Sequence, residues 1–478
     1  VLVAFIGGWI GKTFTAGWLF STLAGVFLGK SSLTGGAKAN RWLELFVRIT
    51  PYVFILGLAL MLSYFIALWL LGPMRVDCGF VEMVLRHADA IGRAEPRCFY
   101  AAFALLTLVG VGLAARVNVN LFSLYHAYRM RLIRAYLGAS NPDRRPQPFT
   151  DFDRNDDIHL PELKHTSSGK PQRPLHLINT ALNLVRVQKK AWQQRKSASF
   201  VLGPLHTGYS LEDPIYDGSY RPTEQYATEG YHGRHELFSL GSALTISGAA
   251  ASPNMGYHSS PGMTFLLTVF NIRLGRWCPN PSEPAWQRNE PKVGLGYLLM
   301  ELLGLTDNRS HFVYLSDGGH FENLGLYELV RRRCRLIVVS DCGADAAFTF
   351  DDLANAQRKC ATDLNVEIDI DVSALRRQSA GYARDNFAIG RIRYGCGEPD
   401  GSLVLLKPAL TGCEAVDVLN YASVEKDFPQ VSTIDQWFDE AQFESYRKLG
   451  FSVCSHMLDK QPFIATALKE LTRIGLPR

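Results

Sequence analysis

The chain is short of charge, of paired cysteines and of any one-signed excess. Charged residues are 20% of its 478 positions, a little under the soluble average of about 25%. Its 50 Lys+Arg against 45 Asp+Glu leave a net charge of +5, too small over this length to imply a nucleic-acid surface. Nine cysteines are scattered singly from Cys78 to Cys454 without a C-x-x-C pair. That pattern argues against a disulfide framework or a zinc ribbon and fits a reducing compartment. No repeats or low-complexity runs occur. Hydrophobic residues are 47% of the chain, which excludes a disordered or collagen-like polymer and points to membrane-buried sequence. The length allows about three domains at roughly 150 residues each. Val1 stands inside an apolar run, and the expectation is a piece of a longer chain.

Three stretches carry the membrane signal, and residues 1–116 read as a membrane region. Residues 51–71 form 21 uncharged positions, long enough at about 1.5 Å per residue for a hydrocarbon core of about 30 Å. Residues 98–115 give 18 more, stopped by Arg116. Val1–Gly29, broken only by Lys12, is either a further span or a re-entrant segment. Lys30, Lys38, Arg41 and Arg48 on one flank and Arg116, Arg129, Arg131 and Arg134 on the other outnumber Arg75, Arg86, Arg93 and Arg97 between the spans. Basic residues stay on the cytoplasmic side. The expectation is therefore a multi-pass protein, of a bacterial inner membrane, with its large C-terminal part in the cytoplasm.

Residues 117–165 read as an interfacial helix and a linker. Asn120–Leu137 places Leu121, Leu124, Tyr125, Tyr128 and Leu132 at helical spacing among arginines, which suits either anionic headgroups or packing on a neighbouring domain. Asp151, Asp153, Asn155, Asp157 and Glu162 fall on the ligand positions of a calcium loop. However, Asp156 stands where the loop needs glycine, and Pro161 blocks the exiting helix. A solvated acidic linker is the expectation.

Residues 166–478 read as an α/β domain. Leu175–Leu184 and Phe200–Leu205 are strand candidates, and Gly241–Ala251 is a closely packed small-residue helix. Phe265–Leu274 and Leu295–Leu305 are further apolar elements. Val313–Asp341 reads as strand, turn, helix and strand, a crossover whose parallel strands are buried. Ala388–Tyr394 and Ser402–Pro408 flank a Gly-rich turn, a hairpin. Ligands of open α/β sheets bind beyond the carboxyl ends of strands. Asp317 ends such a strand, followed by Gly318 and Gly319, which permit a tight turn and close approach. A carboxylate there can take a proton from a serine hydroxyl and return it; a helix cap or turn former is the plain alternative.

The run SDGGHFENLGLYELVRRRCRLIVVSD resembles the aspartate segment of the patatin and cytosolic phospholipase–lysophospholipase superfamily. HLINTALNL with FVLGPLHTGY is similar to the paired strands before that aspartate, and SLGSALTISGAAASPNMG to the small-residue helix beside the active site. The layout resembles large bacterial patatin-like proteins with inserted membrane spans, over most of residues 116–450. The resemblance implies a three-layer α/β/α fold preceded by transmembrane helices. It also implies a Ser–Asp dyad that hydrolyses lipid acyl esters with neither metal nor cofactor. Carried onto this chain, Asp317 is the catalytic base, and Gly318 and Gly319 form the active-site turn. His320 and Asn323 are candidates for contact with a substrate headgroup, and an ordinary polar turn residue is the alternative for His320.

Neither the family's G-x-S-x-G elbow nor its GGGxR-like loop occurs in the 478 residues. The elbow is expected upstream; the alternative is a non-catalytic, membrane-tethered lipid-binding or scaffold protein. Ser247, in Thr-Ile-Ser-Gly-Ala, lacks the strained strand-to-helix turn of a nucleophile and reads as a packing residue. His232 and His235 have no carboxylate or cysteine placed to complete a metal site. Arg331, Arg332 and Arg333 read as a solvated helix end, with phosphate-headgroup binding the second reading. Asp341 reads as a structural strand terminator, with a part in shaping the same cleft the second reading. Membrane phospholipid or lysophospholipid is the expected partner, with no nucleic acid.

Overall fold

The structure is a computed structural model that describes most of residues 52–475. Outside the described residues lie 1–51, 70–79, 187–194, 211–218, 230–237, 255–260 and 476–478, together with a few shorter stretches. Val1–Gly29, His232 and His235 therefore fall outside them, as does part of the 51–71 run, which is helical at its described positions.

Two helices open the well-described part. α1 (Phe80–Arg93) carries the i,i+4 pairs Glu82–Arg86 and Asp89–Arg93 along its surface. α2 (Pro96–Arg116) contains an 18-residue window, Phe99–Arg116, that is apolar and long enough to cross a membrane. None of that window is buried within the protein. Among the described residues it is the one helix that meets the criterion.

α3 (Leu124–Leu132) continues through one π turn, Ile133–Leu137, and buries Tyr125 and Ile133. It packs on α4 (Leu240–Ser247), whose small side chains permit that approach: a Cβ at Gly241 would lie 2.5 Å from Ile133. The acidic stretch after it is not a solvated linker. Asp153 and Asp156 are buried, Asp156 pairs with Arg144 at 2.7 Å, and Asp157 pairs with Arg129 while accepting from Gly241 N–H at 2.9 Å. Arginines from the preceding helix and turn neutralise these carboxylates, so the segment is fastened to the domain.

The strands build two sheets. β1 (Ile178–Asn183), β2 (Ser197–Leu202), β3 (His206–Gly208), β4 (Tyr220–Pro222), β5 (Arg276–Pro279) and β6 (Phe312–Asp317) form an antiparallel sheet of order β4-β3-β2-β1-β6-β5. β6 alternates its contacts. Val313 and Leu315 join a core with Tyr125, Ala243 and Ile246, whereas Phe312 and Tyr314 join Trp277 and the helix Gly294–Leu302 on the other face. Two further helices, α5 (Pro261–Val269) and that Gly294–Leu302 helix, α6, lie between α4 and β6 in the chain.

The second sheet has order β7-β10-β9-β8, with β7 (Leu336–Ser340), β8 (Glu367–Ile370), β9 (Phe387–Arg393) and β10 (Gly401–Leu406). α7 (Leu326–Arg331) and α8 (Asp351–Leu364) cover one face. α9 (Val416–Val424), α10 (Glu440–Lys460) and α11 (Pro462–Gly475) cover the other. β9 and β10 are the expected hairpin.

The expected crossover is corrected. β6 and β7 do not pair; β6 runs antiparallel between β1 and β5, and β7 pairs in parallel with β10. β7 is an edge strand that alternates buried and open side chains. An unbroken apolar run marks burial but does not choose a neighbour. The result is a mixed α/β fold with helices on both faces of each sheet.

Candidate active site

Asp317 stands at the carboxyl end of β6, opposite Thr180 of β1. It is half-buried, and its Oδ1 accepts from Gly319 N–H at 2.7 Å. That bond caps a one-turn 3-10 helix, Gly318–His320, and fixes the rotation of the carboxylate. Gly318 is required by proximity to backbone, whereas Gly319 faces the movable end of the exposed Asn323 side chain. A Cβ at Gly318 would lie 2.7 Å from the Asn179 carbonyl oxygen, and one at Gly319 would lie 2.8 Å from Asn323 Oδ1.

The turn is anchored from below by neutral hydrogen bonds. Asn183 Nδ2 donates to Ser316 Oγ at 2.7 Å, Ser316 Oγ lies 2.8 Å from His320 Nδ1, and Ser197 Oγ donates to the His320 carbonyl at 3.0 Å. His320 is only 8% exposed. The side chain expected to meet a headgroup is turned toward the interior, because the 3-10 turn folds it back over Ser316. Asn323 is exposed and donates from Nδ2 to Asp352 Oδ2 at 3.0 Å.

Charged groups brace the turn from its far end. Buried Glu322 accepts from Leu324 N–H at 2.5 Å and from Tyr327 N–H at 3.1 Å, closing the entry to α7. Burial raises its pKa, against the pull of those two N–H donors. Lys359 of α8 donates to the Phe321 carbonyl and sits 4.5 Å from the centre of the Phe321 ring. Burial lowers its pKa to about 8.

Three groups distant in sequence meet the turn. Asn179 of β1 offers its carbonyl to Ser247 Oγ, which donates at 2.8 Å, and the same carbonyl faces Gly318. Ser247 is the last residue of α4 and lies in a helix. Tyr128 of α3 brings its hydroxyl to within 2.8 Å of where a Cβ on Gly248 would stand. Burial, and then the negative charge of Asp317, raise the pKa of that phenol. Tyr128 and Asn179 carry no local sequence signal; only the packing of α3 on α4 and of β1 on β6 brings them here.

Asp341 follows β7 and is 1% exposed. Its Oδ1 lies 3.0 Å from Lys407 Nζ, which also donates to the Gly343 carbonyl at 3.0 Å. Burial raises its pKa and Lys407 opposes the rise. The arginine run is likewise engaged: Arg331 and Arg332 pair with buried Glu328 at 2.7 and 2.8 Å, and Arg333 stacks on Tyr394. Arg332 and Arg333 nevertheless stay exposed, as expected of a solvated helix end, while Arg331 is half-buried.

No group of three or more His, Cys, Asp or Glu side chains that could hold a metal occurs among the described residues. No family model and no curated protein matches the chain. Among solved structures the chain is similar to human GIVD cytosolic phospholipase A2, at 13% identity and a TM-score of 0.39. The match covers 75% of this chain and 53% of that one, so the chain spans about half the length of the protein it matches.

Proposed function

We propose that this chain bears the aspartate of a lipid acyl-ester hydrolase, with Asp317 as the base of a Ser–Asp dyad. The observation that carries the reading is the Asp317 carboxylate at a strand end, half-buried and held by Gly319 N–H at 2.7 Å. No G-x-S-x-G elbow occurs in the 478 residues, and on this reading the serine it serves lies outside them. In the reaction, the serine hydroxyl attacks the ester carbonyl while its proton passes to Asp317. The proton then leaves with the alcohol as the acyl-enzyme forms. Water attacks the acyl-enzyme, Asp317 takes a proton from it, and the carboxylic acid departs as the serine is regenerated. His320 and Glu322 position the turn, while Asn323 is the residue on the open side for a substrate headgroup. Membrane phospholipid or lysophospholipid is the substrate class, reached from a bilayer that α2 crosses, with the α/β domain on the cytoplasmic face of a bacterial inner membrane.

In the full-length protein, Asp317→Asn keeps the size and the Gly319 bond but cannot take up the proton. Ester hydrolysis should fall by on the order of 10² or more, with the thermal midpoint unchanged. Near-wild-type turnover by that variant would end the reading of Asp317 as the base, whereas no ester hydrolysis by the wild type itself would leave the non-catalytic lipid-binding alternative. Topology has its own check: a reporter after Leu137 should behave as cytoplasmic and one near Glu82 as periplasmic, and the reverse pattern refutes the orientation.

A further inference from the structure

α6 has two unlike faces. Tyr297, Leu298 and Met300 pack on Trp277, Phe312 and Tyr314 beneath the first sheet, and Glu301 is buried in an ion pair with Arg273 at 2.6 Å. The opposite face carries Leu295, Leu299 and Leu303 at i, i+4 and i+8, which are 43%, 46% and 65% exposed. A leucine stripe at that spacing is the apolar side of an amphipathic helix, and here nothing among the described residues covers it.

Position says what does. α6 packs against α2, whose 18-residue apolar window is wholly uncovered by protein. Gly294 brings α6 close to the segment that follows α2, since a Cβ there would lie 3.0 Å from the Val119 side chain and 3.3 Å from the Val117 carbonyl. Leu113 and Val117 at the end of α2 are exposed too, so the stripe continues the surface of the candidate span. Arg116 and Lys292, both exposed, flank the junction, where basic side chains meet anionic headgroups.

The junction is also stiff. Asn120 Nδ2 donates to the Trp277 carbonyl at 2.9 Å and Trp277 N–H donates to Asn120 Oδ1 at 3.0 Å. Buried Arg273 donates to the Val119 carbonyl, and Tyr125 N–H donates to the Arg273 carbonyl at 3.1 Å. A helix that leaves the bilayer at Arg116 therefore enters the domain without slack, and α6 is held at the level of its exit.

We propose that α6 is an interfacial helix, its Leu295–Leu299–Leu303 face lying in the outer acyl layer of an anionic bilayer beside α2. This rests on the reading of α2 as a span. Interfacial helices bury an apolar face about 5–10 Å into the headgroup–acyl boundary, which would seat the domain flat on the membrane.

The test uses full-length protein in phosphatidylcholine–phosphatidylglycerol vesicles, with an environment-sensitive fluorophore on a non-natural residue at position 299. The same label at 108, in α2, and at 416, which is 84% exposed on α9, gives the membrane and aqueous limits. Position 299 should be quenched at least twofold more by lipids spin-labelled near the headgroup than by lipids labelled at the chain end, and should resist iodide, unlike 416. Iodide quenching at 299 equal to that at 416, with 108 still quenched by lipid, overturns the inference and leaves the span intact. Iodide quenching at 108 as well overturns the span, and the inference with it. Shielding of 299 from both iodide and lipid means that protein covers the stripe, a second copy or another segment, and equally overturns it.

Discussion

Two strands of this molecule end in Ser-Asp, and their aspartates have opposite surroundings. Ser316-Asp317 closes β6 in the antiparallel sheet; Ser340-Asp341 closes β7 in the other. Asp317 is half-buried over two glycines and accepts from Gly319 N–H, and the turn below it is fastened through Asn183, Ser316 and His320. Asp341 is sealed against Lys407 in a pair that is almost wholly buried. The difference teaches that what faces a strand-end aspartate decides how it is held: a backbone N–H at Asp317, a buried ammonium at Asp341. A buried ammonium converts the same residue into a structural rivet.

The comparison breaks most strongly at Asp341. Asp341→Asn leaves the Lys407 ammonium buried without its counter-charge, and losing one partner of such a pair costs about 3–5 kcal/mol. A fall of several degrees in the unfolding midpoint checks this, and an unchanged midpoint would show the pair to be dispensable. This replaces the small cost expected of a mere strand terminator. Asp317→Asn is the mirror case, with activity lost by the factor already given and stability kept. Gly318→Ala comes next. Its methyl would sit 2.7 Å from the Asn179 carbonyl, so β1 or the turn must shift, at about 1–3 kcal/mol by analogy with overpacking; equal stability would mean that the turn gives freely.

Smaller is the effect of Lys359. Its folded pKa of about 8 lies below the ordinary 10.5, so between those values the unfolded chain holds more protons and stability rises with pH. Relative to Lys359→Met, the wild type should gain about 2 kcal/mol from pH 7.5 to 10, read by chemical denaturation at each pH. A flat difference would place the ammonium in better solvent contact than the geometry gives it. Smallest is Ser247→Ala, which removes one bond to the Asn179 carbonyl and should cost about 1 kcal/mol with hydrolysis barely altered. Abolished hydrolysis would instead make Ser247 the nucleophile and undo the assignment of roles.

The elements themselves were legible because their signals are local. The strands around Ala181, Leu315 and Leu405 are apolar runs bounded by turn residues, and the packed helix at 240–247 announces itself through Gly, Ser and Ala. What stayed hidden is pairwise. The run Leu336–Ser340 reads as buried on both faces, yet its neighbour is β10 and one face is open. The acidic stretch after Asp151 reads as solvated because Arg129 and Arg144 neutralise it through space rather than at a recognisable spacing. Asp317 could be singled out from its glycines, but Tyr128 beside it could not, since no period links a helix residue before the linker to a strand end so far along the chain. His320 adjoins the aspartate in sequence and was expected beside it in the cleft; the 3-10 turn reverses its direction.

The carbonyl of Asn179 meets Gly318 on one side and the Ser247 hydroxyl on the other. One peptide group thus acts as a gauge block between a helix end and the turn after Asp317, setting their spacing to the thickness of a single oxygen. Its own location follows from the antiparallel match of Thr180 to Asp317 and to Phe200. Alignment of the aspartate is therefore inherited from strand pairing, and a slip of one residue in β1 would present the opposite face of the strand to the turn. The sheet register thus sets where the aspartate stands, and the Gly319 N–H sets how its carboxylate is turned.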